Sequence, residues 1–177
     1  SKLLKFRDGE VLVDSFALES PDFEAGDSAY EHLIKDGDVL YMVSKKGVGF
    51  GIELEALIGI KRNGKRVMKF RADDVLAGVV KAASKLAIFT KSGSALVVSS
   101  KEIPERGQAA VGVSLMSVRK DDEVVSIHGF DKSATFEIEP SAGKVKSVPA
   151  SKLTTGRRGL KGTKVLSRGD IKRVEKV

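Results

Sequence analysis

Short apolar segments recur along this chain, and polar turns separate them. VLYMV, LAIF and ATFEI are each followed by a turn that contains a glycine: Gly47, Gly93 or Gly143. Glycine tolerates the positive φ that tight hairpin turns demand. After the first turn, Phe50, Ile52 and Leu54 are spaced by two, as in a strand with one buried face. No stretch of ten or more residues has helical periodicity, so the pattern predicts an all-β chain.

The apolar segments belong to a repeat. Residues 39–82, 86–129 and 134–177 are three units of 44 residues whose starts are 47 and 48 apart. In each unit a second strand leads to a short polar segment, then a glycine-bearing basic loop, a third strand, an acidic turn and a last strand. Four short strands in about 45 residues are typical of a propeller blade. The polar segments end at Leu57, Ile103 and Leu153, and the acidic turns contain Asp74, Asp122 and Asp170.

These units define the expected organisation as one domain. We predict an acidic connector plus partial blade over residues 1–38, blades over 39–82 and 83–133, and a terminal blade over 134–177. The alternative is that the repeats are unrelated hairpins, but the shared order of turn, loop and acidic bend favours true repeats.

Charge divides the chain in the same place. Residues 1–38 hold 4 Lys/Arg and 10 Asp/Glu, a net charge of −6, whereas the remaining residues carry a net +13. A basic body indicates a polyanionic partner or simply a solvated basic surface. The basic loops favour the partner, because flexible Gly/Arg/Lys loops approach phosphates closely. The candidate DNA-binding residues are Lys61, Arg62, Lys65, Arg66, Arg106, Arg157, Arg158, Lys161 and Lys164, with Gln108 beside Arg106.

Aromatic residues make up only 6% of the chain, and the basic loops contain none. Proteins that bind single strands usually stack bases on aromatic side chains. Double-stranded DNA, held by its phosphates with little regard to base sequence, is therefore the expected partner.

Catalytic chemistry is not evident. There is no cysteine, and His32 and His128 stand about 100 residues apart, so we expect no metal, and we interpret His128 as a turn or surface residue. The carboxylate pairs ending in Asp74 and Asp122 are better explained as turn formers than as acids or magnesium ligands. The glycines around Phe50 fail the dinucleotide pattern. We predict no cofactor, no enzymatic activity, no membrane span and a cytoplasmic, nucleoid-associated location.

Three segments together resemble the C-terminal domain of the topoisomerase IV protein that is related to gyrase A, the A subunit of a type IIA topoisomerase. They are GVGFGIELEALIGIKRNGKRVMKF, TKSGSALVVSSKEIPERGQAAVGVSLMSV and VPASKLTTGRRGLKGTKVLSRGDIKRVEKV. The resemblance covers residues 39–177 well and the first 38 poorly. It implies a β-pinwheel of propeller-like blades whose basic outer rim binds and bends duplex DNA and helps select the crossings acted on during topological change and chromosome segregation. The resemblance also implies that this domain works together with a catalytic core and a B subunit.

Two departures from the family bear on that expectation. Gyrase wraps DNA with a loop that opens on glutamine, whereas the nearest segment here, 155–162, reads TGRRGLKG and opens on threonine. Three units plus a partial one are fewer than the five or six usual in the family, so we expect an incomplete or open ring.

The family's catalytic tyrosine follows arginine, and neither Tyr30 nor Tyr41 does. The alternative function is a propeller-like interaction module for an acidic protein.

Overall fold

The computed structural model describes residue 13 and residues 37–57, 65–71 and 73–177. Lys61, Arg62, His32 and nearly all of the predicted connector over residues 1–38 lie outside the described residues.

Every regular element of the described residues is a strand or a single 3₁₀ turn, which confirms the all-β prediction. The first repeat forms β1 (Val39–Ser44), β2 (Val48–Glu53) and β3 (Leu76–Lys81). The second forms β4 (Lys85–Thr90), β5 (Ser94–Ser99), β6 (Val113–Ser114) and β7 (Val124–Phe130). The third forms β8 (Thr135–Pro140), β9 (Lys146–Pro149), β10 (Thr155–Gly156), β11 (Thr163–Lys164) and β12 (Ile171–Lys176). The predicted polar segments are the 3₁₀ turns Leu54–Leu57, Ser100–Glu102 and Ala150–Lys152.

The first two strands of each repeat form a hairpin at the predicted glycine. Gly47, Gly93 and Gly143 have φ of +77°, +88° and +105°, values that favour glycine over residues with a Cβ. The hairpins β1–β2, β4–β5 and β8–β9 are antiparallel, and the last strand of each repeat pairs with the first.

The outermost strand of a sheet comes from the following repeat. The first sheet has the order β3-β1-β2-β6, so β6 of the second repeat completes it. The second sheet has the order β7-β4-β5-β10, and β11 also pairs with β5, so the third repeat completes this sheet. The third sheet, β12-β8-β9, gains no such strand from the described residues. The second and third repeats are therefore each joined to the repeat before them by main-chain hydrogen bonds.

The two edges of each sheet have different surroundings. The last strands touch one another across blades, β3 against β7 and β7 against β12, and Ile127 lies 3.5 Å from where a Cβ on Gly78 would be. We name this edge, on which the last strands lie, the inner edge. The exchanged strands β6, β10 and β11 lie at the opposite, outer edge.

Apolar side chains fill the spaces between sheets. Tyr41 and Val43 of the first sheet pack with Leu86, Ile88 and Leu96 of the second. The other face of the second sheet packs against the third in the same way, around the fully buried Phe89 and Phe136. Strands buried on both faces explain why β4 and β5 contain nearly continuous apolar runs.

The carboxylates of two of the three predicted acidic turns are structural, as predicted. Asp74 Oδ1 accepts hydrogen bonds from the N–H groups of Lys46 and Val75, both at 3.0 Å. Asp122 does the same for the N–H groups of Ser92 (2.9 Å) and Glu123 (2.9 Å), and its Oδ2 also accepts from the Ser92 hydroxyl. Each carboxylate therefore ties the acidic turn to the hairpin turn of the same blade.

Candidate nucleic-acid interface

The loop and third strand of each repeat form an outer arm. We use this name for residues 65–71, 105–118 and 155–166, the first, second and third outer arms. Neighbouring arms hydrogen-bond to each other: Lys69 N–H donates to Ala110 O (2.9 Å) and Ala109 N–H to Val67 O (2.8 Å). The same pattern joins the second and third arms through Ser117 N–H to Leu160 O (2.9 Å) and Gly159 N–H to Leu115 O (2.8 Å). The arms thus form one connected main-chain path along the outer edge.

Close backbone contacts hold the second and third arms against the preceding blade. Gly51 N–H donates to Pro104 O at 2.9 Å, and Arg106 N–H donates to Gly51 O at 2.8 Å. A Cβ on Gly162 would lie 2.3 Å from Ala95 O, so this position in the third arm accepts only glycine without movement. Gly49 and Gly51, on either side of Phe50, thus belong to a strand that pairs with an arm. Their role is close packing of the backbone, in keeping with their failure to match the dinucleotide pattern.

The predicted cations that the structure describes all lie on these arms and are exposed. They are Lys65 and Arg66 on the first arm, Arg106 on the second, and Arg157, Arg158, Lys161 and Lys164 on the third. Lys65 is partly engaged, because its ammonium donates to Ala56 O at 3.3 Å, and the Gln108 side chain donates to the same carbonyl. Lys69, exposed on the first arm, was missed by sequence reasoning; its spacing after Arg66 was the available signal.

The third arm presents its charges from a tight turn. Arg157 and Arg158 lie between β10 and β11, where Gly159 and Gly162 have φ of +82° and +70°. Both arginines are exposed, and the strands that flank the turn are paired with β5. Backbone N–H groups and two Arg side chains on one exposed turn suit the recognition of phosphate oxygens.

Equivalent positions on the arms differ in charge. Ser114 pairs with Val48 and Lys164 pairs with Ser94, each one residue after a turn glycine. Arg66 is the equivalent residue of the first repeat. It lies two residues before Met68, and Ser114 likewise lies two residues before Met116. The resulting row, Arg66, Ser114 and Lys164, is exposed throughout and has its one uncharged member in the middle.

His128 corrects a sequence interpretation. It is not in a turn but within β7, half-buried, where its ring packs edge-on against Phe89 and lies 5.6 Å from that of Phe136. Burial, with a smaller contribution from the nearby Lys176 charge, lowers the pKa of His128 to about 4 against the opposing effect of a backbone hydrogen bond at Val174. It is a neutral packing residue that hydrogen-bonds Ser126 at 2.8 Å.

We also searched the described part of the chain for metal sites, membrane-spanning helices and ion pairs. Among the described residues, no group of three or more His, Cys, Asp or Glu side chains is placed to hold a metal ion. No helix there has the length and apolar character needed to cross a membrane. Glu123 pairs with the lysines of two hairpin turns, Lys45 at 2.9 Å and Lys91 at 3.9 Å, and so links two blades.

Comparison with known proteins identifies the family. The family described as DNA gyrase C-terminal domain, beta-propeller, matches residues 38–82, 84–128 and 141–176. The DNA gyrase A subunits of Staphylococcus epidermidis (strain ATCC 12228 / FDA PCI 1200) and Staphylococcus aureus (strain MRSA252) are each 27% identical over 160 residues. These residues are 88% of this chain, which spans only 18% of the length of either relative.

Solved structures agree on the fold. The C-terminal domain of DNA topoisomerase IV superposes with a TM-score of 0.71 at 19% identity, covering 80% of this chain and 46% of that one. The E. coli ParC C-terminal domain gives 0.67 at 24%, covering 80% and 61%. The DNA gyrase A C-terminal domain gives 0.68 at 21%, covering 80% and 50%.

Proposed function

Because the chain belongs to the family of C-terminal domains found in gyrase A and its topoisomerase IV counterpart, we propose that it binds duplex DNA through its outer arms. The family is that of the C-terminal domain and not of the catalytic core, which confirms the prediction of a non-catalytic domain. Its task is then to hold a DNA segment for a reaction carried out elsewhere in a larger enzyme.

The observation that carries this proposal is the connected path of the arms. Exposed cations at both ends of the path, Arg66 and Lys69 on one side and Arg157, Arg158 and Lys164 on the other, share one outer edge. Arms that hydrogen-bond to one another keep the main chain that carries these cations in place. Cations carried on an ordered main chain lose less ordering entropy on binding phosphates than cations on a flexible tail.

We further propose that this chain comes from an A subunit of the topoisomerase IV type and that it bends DNA. The third arm keeps the two arginines of the gyrase wrapping loop but opens on Thr155, whose hydroxyl-bearing side chain lacks the amide of glutamine. Three described blades also offer DNA a short path. Bending a segment this way would help the parent enzyme, with its catalytic core and B subunit, select DNA crossings during chromosome segregation in the bacterial cytoplasm.

A titration against duplexes of different shape tests the proposal. Fluorescence anisotropy with a labelled linear duplex, and gel shifts with relaxed and supercoiled circles of one sequence, should show binding to all three with little dependence on base sequence. The plot of log affinity against log salt should fall steeply, by ~0.9 for each phosphate neutralised. Failure to bind any duplex at low salt would refute the proposal.

The same titration separates the alternative. An interaction module for an acidic protein would bind a polyglutamate chain as tightly as DNA at equal charge, and its binding would survive moderate salt if apolar contacts contributed. We expect DNA to bind more tightly, because the planar guanidinium groups of Arg157 and Arg158 match phosphate oxygens in pairs.

A further inference from the structure

The first two sheets each have a face that packs against the following blade, and paired residues form a row across the strands of that face. The row of the first sheet is Gly51, Tyr41 and Val80, and the row of the second sheet is Val97, Ala87 and His128. Tyr41 packs against the second sheet, and Ala87 packs against the third. Residues at these positions are therefore the ones that a following blade covers.

The equivalent row of the third sheet is charged. It consists of Ser147, Glu137 and Glu175. Two residues further along β8, Glu139 takes the place of the fully buried Phe89 and pairs with Arg173. All of these third-sheet residues are exposed. We name this surface the end face, and its residues are Glu137, Glu139, Ser147, Arg173 and Glu175.

A sheet that packed on the end face would have to bury like charges. Glu137 and Glu175 lie directly opposite each other on adjacent strands, and like charges in this position repel. Water screens that repulsion, whereas a covering sheet would remove the hydration of both carboxylates and strengthen it. Arg173 forms an ion pair with Glu175, which compensates only one of the three carboxylates. A polar outer face of this kind is typical of the terminal unit of a repeat array.

The end face lies beyond the last group of cations on the outer arms. We call the exposed cations along these arms the basic path. The third arm pairs with β5 of the second sheet, so a duplex that passed this arm and bent round the third sheet would bring its phosphates over Glu137 and Glu139. Phosphates and carboxylates repel each other within a screening length of about 8 Å at physiological ionic strength. The surface charge therefore changes sign where the duplex would have to turn.

From these observations we infer that the end face is the boundary of the DNA path. The third sheet ends the stack of blades, and its carboxylates keep a bound duplex from bending round it. The duplex then leaves the outer edge after the third arm. This boundary has meaning only if the outer arms bind DNA as proposed, whereas the exposure of the end face does not depend on DNA.

The length of the bound duplex tests the boundary. The slope of log affinity against log salt increases with the number of phosphates neutralised, and it stops steepening once the duplex is longer than the path. In Glu137→Lys/Glu139→Lys/Glu175→Lys the duplex can follow the end face. We expect this limiting length to grow by at least about three base pairs, because three strands spaced by about 4.8 Å span about 10 Å and a duplex rises by about 3.4 Å per base pair.

The matched control is Glu102→Lys/Glu105→Lys/Asp121→Lys, which makes the same change of charge on the second repeat. This control should bind DNA more tightly than the original chain and keep its limiting length. Melting temperatures are measured for both variants, and glutamine replaces lysine in both if lysine impairs folding. A folded end-face variant with the original limiting length would overturn the inference, as would equal lengthening in the control. Failure of the original chain to bind any duplex would instead refute the proposed function.

Carboxyl labelling provides a second measurement on the unaltered chain. Carbodiimide and glycinamide convert accessible carboxylates to amides, which mass spectrometry locates. Glu137 and Glu139 should be labelled at rates similar to that of the exposed Glu55, and a saturating duplex should leave these rates unchanged. Protection without DNA would show that the end face is covered, and protection by DNA would show that the duplex bends round it. Either result would overturn the inference.

Discussion

Gly112 of the second arm lies directly on Gly49 of β2. A Cβ on Gly112 would be 2.8 Å from both the N and O atoms of Gly49, closer than side chains approach backbone. The two glycines are where one repeat crosses the sheet of another. The exchange of arms therefore depends on the absence of a side chain at Gly112.

Gly112→Ala should consequently destabilise the domain. Replacing glycine by alanine is otherwise neutral or slightly stabilising, since it restricts the unfolded chain. Here the arm must shift away from β2, and we expect a loss of about 2 kcal/mol or more, typical of overpacking, measured by urea unfolding. Gly107→Ala is the matched control, because its added Cβ meets nothing within 4 Å. Equal stability of the two variants would mean that the arm is not held at this crossing.

Asp122→Asn should loosen the second hairpin turn. Burial raises the pKa of Asp122, but the hydrogen bonds from Ser92 and Glu123 outweigh it and hold the pKa below its usual range. A depressed folded pKa means that the carboxylate stabilises the fold at neutral pH and that this contribution disappears as acidification protonates it.

We expect Asp122→Asn to cost about 1–2 kcal/mol at neutral pH and to differ less from the unmodified chain in acid, below the usual pKa of an aspartate. Asp121→Asn is the control, because Asp121 is exposed beside it. The account fails if the control loses as much stability or if the difference persists unchanged in acid.

His128→Gln should remove a pH dependence. The folded pKa of about 4 lies below the ordinary 6.5, so the unfolded chain binds the extra proton between these values. Stability therefore falls as pH drops from about 6.5 to 4, by at most about 3.4 kcal/mol at 1.36 kcal/mol per unit. Glutamine does not titrate, so the variant's melting temperature should change less over this range. An unchanged pH profile would show that another group is responsible.

The sequence predicted the parts of a blade but not how blades share them. Hairpins, glycine turns and the roles of Asp74 and Asp122 follow from local chemistry and were confirmed. Apolar and polar residues alternate in the same way in the third strand of a repeat whether that strand pairs within its own sheet or with the sheet of the preceding repeat. Its exchange depends on long-range contacts, such as Gly112 against Gly49, that a repeat alone does not reveal.

The error over His128 has a similar cause. The glycine that follows His128 in the sequence favours a turn, yet Gly129 lies inside β7, where a Cβ would meet Lys81 O at 2.6 Å. Close packing of β7 on the end of β3 explains this glycine. The DNA-binding role of the cations, and the blade boundaries at 39–82, 83–133 and 134–177, stay predictions.

Ser114→Lys should strengthen DNA binding. Ser114 is exposed and equivalent to Arg66 and Lys164, so the lysine fills the uncharged centre of the basic path. One further neutralised phosphate should steepen the salt dependence by ~0.9. Ser133→Lys, an exposed position in the connection between β7 and β8, adds the same charge away from the arms. Equal gains from both variants would indicate general charge attraction rather than a path along the arms.

The central claim is that the outer arms bind DNA phosphates, and the salt dependence of duplex binding by the third arm tests it most directly. Arg157, Arg158 and Lys161 are changed to Glu together, with exposed Lys120, Lys132 and Lys172 changed to Glu as a control of equal charge. Melting temperatures are measured for both, and the comparison uses folded variants.

We predict that the arm variant loses at least tenfold in affinity at low salt and that its slope of log affinity against log salt flattens by ~0.9 for each phosphate that the arm no longer neutralises. The control should change affinity less and leave the slope nearly intact. An arm variant that is folded and keeps both the affinity and the slope of the original chain would contradict the account.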